Sequence, residues 1–229
     1  MPAPLYGDYS WLFDLVAWDE VVRRRALDRH QALVAAAIEA LHRWNVLWAR
    51  ERSAAPTRPQ LVAELDQAGA ARFWYQRQTI SGPVGAFLGA DPGDPVTEAL
   101  WSPFAVLFLR WEAQHPTEWG APGSLMWSRW GTKESLLRRL ERGGLPDGTG
   151  PQIAELVLAA LQRPYQCKDW MYARLVRHLD PSFPDRVAAL ASADDPLVRL
   201  RARFVLHAAG DPERRITRGA WQRWLSADH

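Results

Sequence analysis

Cysteine is almost missing from this chain, where Cys167 stands alone. An intramolecular disulfide is therefore excluded, and so is a zinc site built on several thiolates. Lysine is nearly missing too: Lys133 and Lys168 are the only two, and every other cation is an arginine, a bias of the kind GC-rich bacterial coding produces. His30, His42, His115, His178, His207 and His229 contain no His-x-x-x-His pair, and no acidic loop has calcium spacing, so no metal is expected. There is no Gly-x-Ser-x-Gly elbow for a nucleophile, and Gly82, Gly85 and Gly89 follow no strand-like run and make no phosphate-binding fingerprint. No catalytic residue and no cofactor can be assigned. The longest apolar runs, Ala32 to Ile38 and Phe104 to Leu109, fall far short of the roughly 20 residues that span a bilayer. Met1 to Asp8 lacks a basic start followed by an apolar run, so the expectation is a cytoplasmic protein with no membrane partner.

What is present is a 48% hydrophobic, 24% charged chain of 229 residues, enough for a substantial core. The net charge is +2; positions 151–229 carry 12 Lys and Arg against 9 Asp and Glu, an asymmetry that permits nucleic-acid binding without arguing for it. Thirteen tryptophans are the outlying number.

Periodicity predicts helices throughout. Ser10 can cap a first helix reaching Leu27, and Asp28 a second reaching Arg50, with Trp44 and Trp48 on one face. Arg23-Arg24-Arg25 spans too wide an arc of a helix to point one way and reads as a solvated flank. Ser53 to Pro59 is a loop by composition, and Pro59 to Gln78 a third helix. Ser81 to Pro95, with four glycines and three prolines, predicts the longest irregular stretch. Asp94-Pro95 opens a helix that Ser102-Pro103 restarts, and Phe104 to Trp111 is apolar nearly all round, which places it centrally. Thr132 can cap a helix over Lys133 to Arg142 that Gly143-Gly144 ends.

From Ile153 to Pro212 one helical hairpin is written twice. A shift of 29 residues lays Leu158-Ala159-Ala160-Leu161 on Val187-Ala188-Ala189-Leu190, and Ala173 to His178 on Ala202 to His207, which predicts a stacked-repeat architecture. In the second copy Asp195-Pro196-Leu197-Val198-Arg199, followed by Ala202 and Val205-Leu206, resembles the signature of HEAT-like helical repeats. The first copy departs from it, with Gln166 in place of Asp195 and Trp170 in place of Arg199. The resemblance covers the C-terminal third. It implies an all-α bundle or solenoid with HEAT-like hairpins there, and a binding scaffold in place of an enzyme. The expected organisation is a divergent, Trp-rich helical region over 1–146 and hairpin repeats over 147–229. Leu136 to Glu141 faintly echoes Leu175 to Asp180, as a degenerate earlier repeat would.

Projected at about 100° per residue, Tyr172, Leu175, Val176 and Leu179 form the buried side of the first copy's second helix. Leu197, Val198, Phe204, Val205 and Ala208 form that of the next. Trp170, Arg174, Arg177 and His178, and then Arg199, Arg203 and His207, fall opposite, with the two sets about 10 Å apart at ordinary helix spacing. In HEAT-like stacks second helices line the inner curve, so the resemblance makes this a basic, Trp-bearing concave face for an acidic protein partner or nucleic acid. Arg201 projects inward, with Asp169 or Asp195 as its expected partner. Two alternatives belong to other classes. One is a HEAT-like DNA alkylation-repair glycosylase using Asp169 and Trp170 with Arg174 and Arg203. The other is an enzyme with a pocket for a small aromatic substrate walled by Trp101, Trp111, Trp119, Trp127 and Trp130. A homodimer is also allowed, and the helix at Thr217 to Leu225 with Trp221 and Trp224 is expected to cap the stack.

Overall fold

In the computed structural model, residues 6–53, 59–91, 93–211 and 215–226 are described, and among them all regular structure is helical. The chain is all-α. Two compact units emerge: 1–89 with 114–128, and 90–113 with 129–229.

In the first unit a 3-10 helix, η1 (Tyr6–Val16), leads into one long helix, α1 (Glu20–Ser53). The expected pair of helices meeting at Asp28 is replaced by a break at residues 17–19. No Gly or Pro interrupts 20–53, and the cap is Asp19, whose Oδ1 accepts from the amides of Val21 (2.8 Å) and Val22 (3.1 Å). Asp28 is instead an exposed mid-helix partner of Arg24 at 3.2 Å. Arg23 turns to the Ala17 carbonyl and Glu118. The expected loop between Ser53 and Pro59 lies, at 54–58, outside the described residues; α2 (Pro59–Gln78) then packs along α1.

The stretch expected to be irregular forms a helix, α3 (Ser81–Gly89), that buries Val84 and Phe87. Its breakers sit where they are tolerated: Pro83 occupies the first turn, and Gly82 fits a turn closed by its amide on the Thr79 carbonyl at 3.0 Å. A Cβ at Gly82 would stand 2.1 Å from the Arg77 carbonyl oxygen, so glycine is required there. A short helix, α5 (Pro116–Gly120), completes the unit and buries Trp119.

In the second unit α4 (Pro95–Gln114) starts where Asp94 accepts from the amides of Val96 and Thr97, and runs through Pro103 without a restart. Pro103 cannot donate to the Ala99 carbonyl, and the Ser102 hydroxyl donates to it at 3.5 Å. Phe104 to Leu109 and Trp111 are buried on every side of the helix, which makes α4 central to its unit. Then come α6 (Arg129–Gly143), α7 (Gly150–Gln162), a second 3-10 helix η2 (Asp169–His178), α8 (Phe183–Leu190), α9 (Pro196–Ala209) and α10 (Arg218–Ser226). Helix α6 begins three residues before Thr132 and ends at Gly143, followed by Gly144 at φ +82°. The expected division after residue 146 falls inside this unit, because α6 and α7 both pack on η2.

The pairs α7/η2 and α8/α9 occupy the two copies of the duplicated sequence, but their second members differ. Helix α9 is capped by Asp195, which accepts from the amides of Leu197 and Val198. Helix η2 has no such cap: Lys168 precedes it at φ +72°, and the Asp169 carboxylate takes the Gln166 amide at 2.7 Å. The projected inner faces are buried except at two places. Leu179 is half-buried and Leu197, in the first turn of α9, is 49% exposed. At the end of the chain Trp221 and Trp224 pack edge-on against Phe204.

Candidate functional site

Burying Leu136, Leu137 and Leu140 fixes the rotation of α6, and residues at i, i+3 and i+4 on its other side, Arg138, Glu141 and Arg142, are left on one face. Against them η2 presents Arg174 and Arg177, over small and aliphatic residues that include Ala173, Val176 and Ala208. Arg215 and Ile216 close the third side. These walls enclose a cleft of about 510 Å³, lined among the described residues by five arginines and one carboxylate.

The five cations are not equivalent. Arg174 is fixed: Nε and Nη2 donate to the Ile216 carbonyl at 3.0 and 2.5 Å, and Nη1 donates to Glu141 Oε2 at 2.8 Å. Its guanidinium also lies 4.8 Å from the Trp170 ring centre, so Trp170 is the half-buried support of Arg174 and does not itself line the cleft. Arg177 Nη2 donates to the Glu141 carbonyl at 3.2 Å, and His178 Nε2 stands 2.8 Å from the same oxygen and 3.2 Å from Arg177 Nε. Arg138 pairs with Glu134 one turn back. Arg142 and Arg215 are exposed and pair with no described residue.

The seven residues projected onto one face therefore separate. Arg174 and Arg177 line the cleft, His178 and Trp170 support it, and Arg199, Arg203 and His207 stand outside it. Arg199 Nη1 donates to the carbonyls of Ala193 and Asp194 ahead of α9. His207 stacks on Trp224 at 4.9 Å, and Arg203 is exposed. Arg201 is buried as projected, but it donates to the carbonyls of Leu161 (3.2 Å) and Arg163 (2.7 Å), not to Asp169 or Asp195. The missing members, Arg138 and Arg142, carried one signal: the echo of Leu175 to Asp180 in Leu136 to Glu141 sets Arg138 against Arg177.

The five tryptophans from Trp101 to Trp130 divide between the two units, Trp119 and Trp127 falling in the first. Trp101, Trp111 and Trp119 are buried core, Trp127 is 46% exposed, and Trp130 is half-buried above Lys133. None of them lines the arginine cleft.

A second cluster was invisible in the sequence because its members come from three separate helices and from the residue that follows α7. Lys133 is fully buried and donates to Asp169 Oδ1 at 2.6 Å and Glu112 Oε1 at 3.2 Å, beneath the Tyr172 ring. Arg163 Nη2 reaches both Glu112 oxygens, at 2.9 and 2.8 Å, and Asp169 Oδ1 at 2.9 Å. Two cations thus neutralise two carboxylates away from water. Burial alone would lower the Arg163 pKa; the charges of Asp169 and Glu112 outweigh it and raise it. Burial, with the same two carboxylates behind it, holds the Tyr172 phenol well above its usual range. The left-handed backbone of Lys168 lies directly beside this network, and its Nζ is held by Glu134 at 2.5 Å.

Among the described residues no group of three or more His, Cys, Asp or Glu could hold a metal ion, and no helix is long and apolar enough to cross a membrane. No family model, curated protein or solved structure matches the chain.

Proposed function

We propose that this is a non-enzymatic helical-repeat binding protein, of HEAT-like construction in its C-terminal third, that holds an acidic partner in the arginine cleft. The observation that carries the reading is the lining of five arginines against Glu141, whose Oε2 is already paired with Arg174. Guanidinium groups present fixed forks of donors to oxyanions, so their convergence suits an anionic ligand more than any neutral one. The non-enzymatic part draws support from Asp169. The carboxylate that a glycosylase-like mechanism would need is 3% exposed and accepts from Lys133, Arg163 and the Gln166 amide.

The test is chromatography of the full chain on an immobilised polyanion such as heparin. With a net charge of only +2, retention has to come from a local patch. The wild type should bind at about 50 mM salt and elute as screening grows. Arg142→Glu/Arg215→Glu should pass through with an unchanged melting temperature. Wild-type protein in the flow-through would refute the reading.

A further inference from the structure

Resting on that reading, we infer that the ligand of the arginine cleft is a short chain of phosphoryl groups, recognised without any attached base or peptide. Three features of the cleft lead to this class.

The first is that its hydrogen-bonding capacity runs one way. The Ile216 carbonyl accepts two bonds from Arg174, the Glu141 carbonyl accepts from Arg177 and faces His178, and Glu141 Oε2 accepts from Arg174. Among the described residues every side-chain polar group on the wall other than Glu141 is a guanidinium. Arginine has donors and no acceptor, and those of Arg142 and Arg215 are uncommitted among the described residues. What enters must be an acceptor at nearly every polar atom. An acidic peptide brings an amide donor with each residue and would leave those amides facing donors. A phosphoryl chain at neutral pH brings acceptor oxygens almost exclusively.

The second is charge density. Among the described residues five guanidinium groups face one carboxylate in about 510 Å³. A carboxylate supplies one charge, and along an extended peptide side chains point alternately to opposite sides at about 3.4 Å per residue. Only every other one could face the same wall. A terminal phosphate carries about −1.5 to −2 in a single tetrahedron, so two or three linked groups match the wall within the volume.

The third is the absence of a stacking surface. Among the described residues no aromatic lines the cleft, and Trp170 beside it is occupied by Arg174. Single-stranded nucleic acids gain much of their affinity from base stacking on aromatic rings, and this wall offers none. A nucleoside attached to the phosphates should add nothing.

Calorimetry of the full chain in metal-free buffer at constant ionic strength tests this, with tripolyphosphate, orthophosphate, adenosine triphosphate and hexaglutamate as probes. Tripolyphosphate should bind at one site, about tenfold or more tighter than orthophosphate or hexaglutamate, and adenosine triphosphate should bind no tighter than tripolyphosphate. Arg142→Ala/Arg215→Ala, both changes on exposed side chains, should weaken tripolyphosphate by at least about tenfold. Hexaglutamate binding as tightly as tripolyphosphate would overturn the phosphoryl assignment and leave the acidic-partner reading standing. Markedly tighter adenosine triphosphate would overturn the claim that the base is ignored. Tripolyphosphate binding that ignores the double substitution would move the site elsewhere, and no binding by any probe would remove both the inference and the reading beneath it.

Discussion

Lys133 Nζ and Asp169 Oδ1 stand 2.6 Å apart with both side chains withdrawn from solvent. The pair joins α6 to the start of η2, and Glu112 of α4 shares the same ammonium. Such a network need not stabilise more than an apolar replacement would, but removing one member strands the others. Lys133→Met should cost about 3–5 kcal/mol in urea unfolding, because two buried carboxylates would then share Arg163 alone. Lys133→Met/Asp169→Asn should cost less than the sum of the two single changes, by about 0.5–3 kcal/mol. A single-substitution loss below about 1 kcal/mol would show that these charges do not hold the helices together.

Arg174 ties three elements at once: its own η2, Glu141 on α6, and Ile216 just before α10. Arg174→Lys keeps the charge but cannot donate from a fork. Amide exchange at residues 216–226 should therefore rise by about tenfold or more, with only a small change in the melting temperature. Unchanged exchange in that segment would show that α10 is held by the contacts of Trp221 and Trp224 with α9, without help from Arg174.

His30 lies in the core of the first unit, and its Nε2 accepts the Ile80 amide at 3.3 Å, which requires a neutral ring. Burial lowers its pKa from 6.5 to about 4. The native state therefore resists protonation that the unfolded chain accepts below pH 6.5, so this contribution is complete above that pH and is lost as pH falls toward 4. The loss amounts to about 3 kcal/mol. Its imidazole resonances should stay in the neutral form from pH 7 to pH 5. A ring that titrates near 6.5 would place His30 in contact with solvent.

That the elements are helical, and which faces of η2 and α9 turn inward, was legible because burial leaves a period in the sequence: Tyr172, Leu175 and Val176 could be picked out by spacing alone, though not that η2 is a 3-10 helix. Boundaries were legible where a single residue dictates them, as with Asp195, Asp94 and Gly143. They were not where candidates compete. Asp28 is as good a cap as Asp19, and only the unbroken helix through 20–53 decides between them. The cleft was half legible. Arg174 and Arg177 follow from the face of one helix, whereas Arg215 lies outside any helix and Arg142 belongs to an element that had only a faint repeat echo. The network of Glu112, Lys133, Arg163 and Asp169 had no signal, since four charges spread over α4, α6, the residue after α7 and the start of η2 carry no shared period.

Two glycines in α3 separate steric need from mere tolerance. A Cβ at Gly82 would lie 2.1 Å from the Arg77 carbonyl oxygen and 2.8 Å from its carbon, both backbone atoms that can move only by opening the turn between α2 and α3. At Gly85 nothing lies within 4 Å of the same position. Gly82→Ala should destabilise the first unit by about 1–3 kcal/mol, the cost of forcing atoms into a filled site. Gly85→Ala should stabilise it by about 0.5–1 kcal/mol, because alanine loses less backbone entropy in a helix. Urea midpoints of the two variants should therefore move in opposite directions. If both rise, the turn at Thr79 to Gly82 is loose enough to take a side chain, and the helix assigned to Ser81–Gly89 is not pinned by that contact.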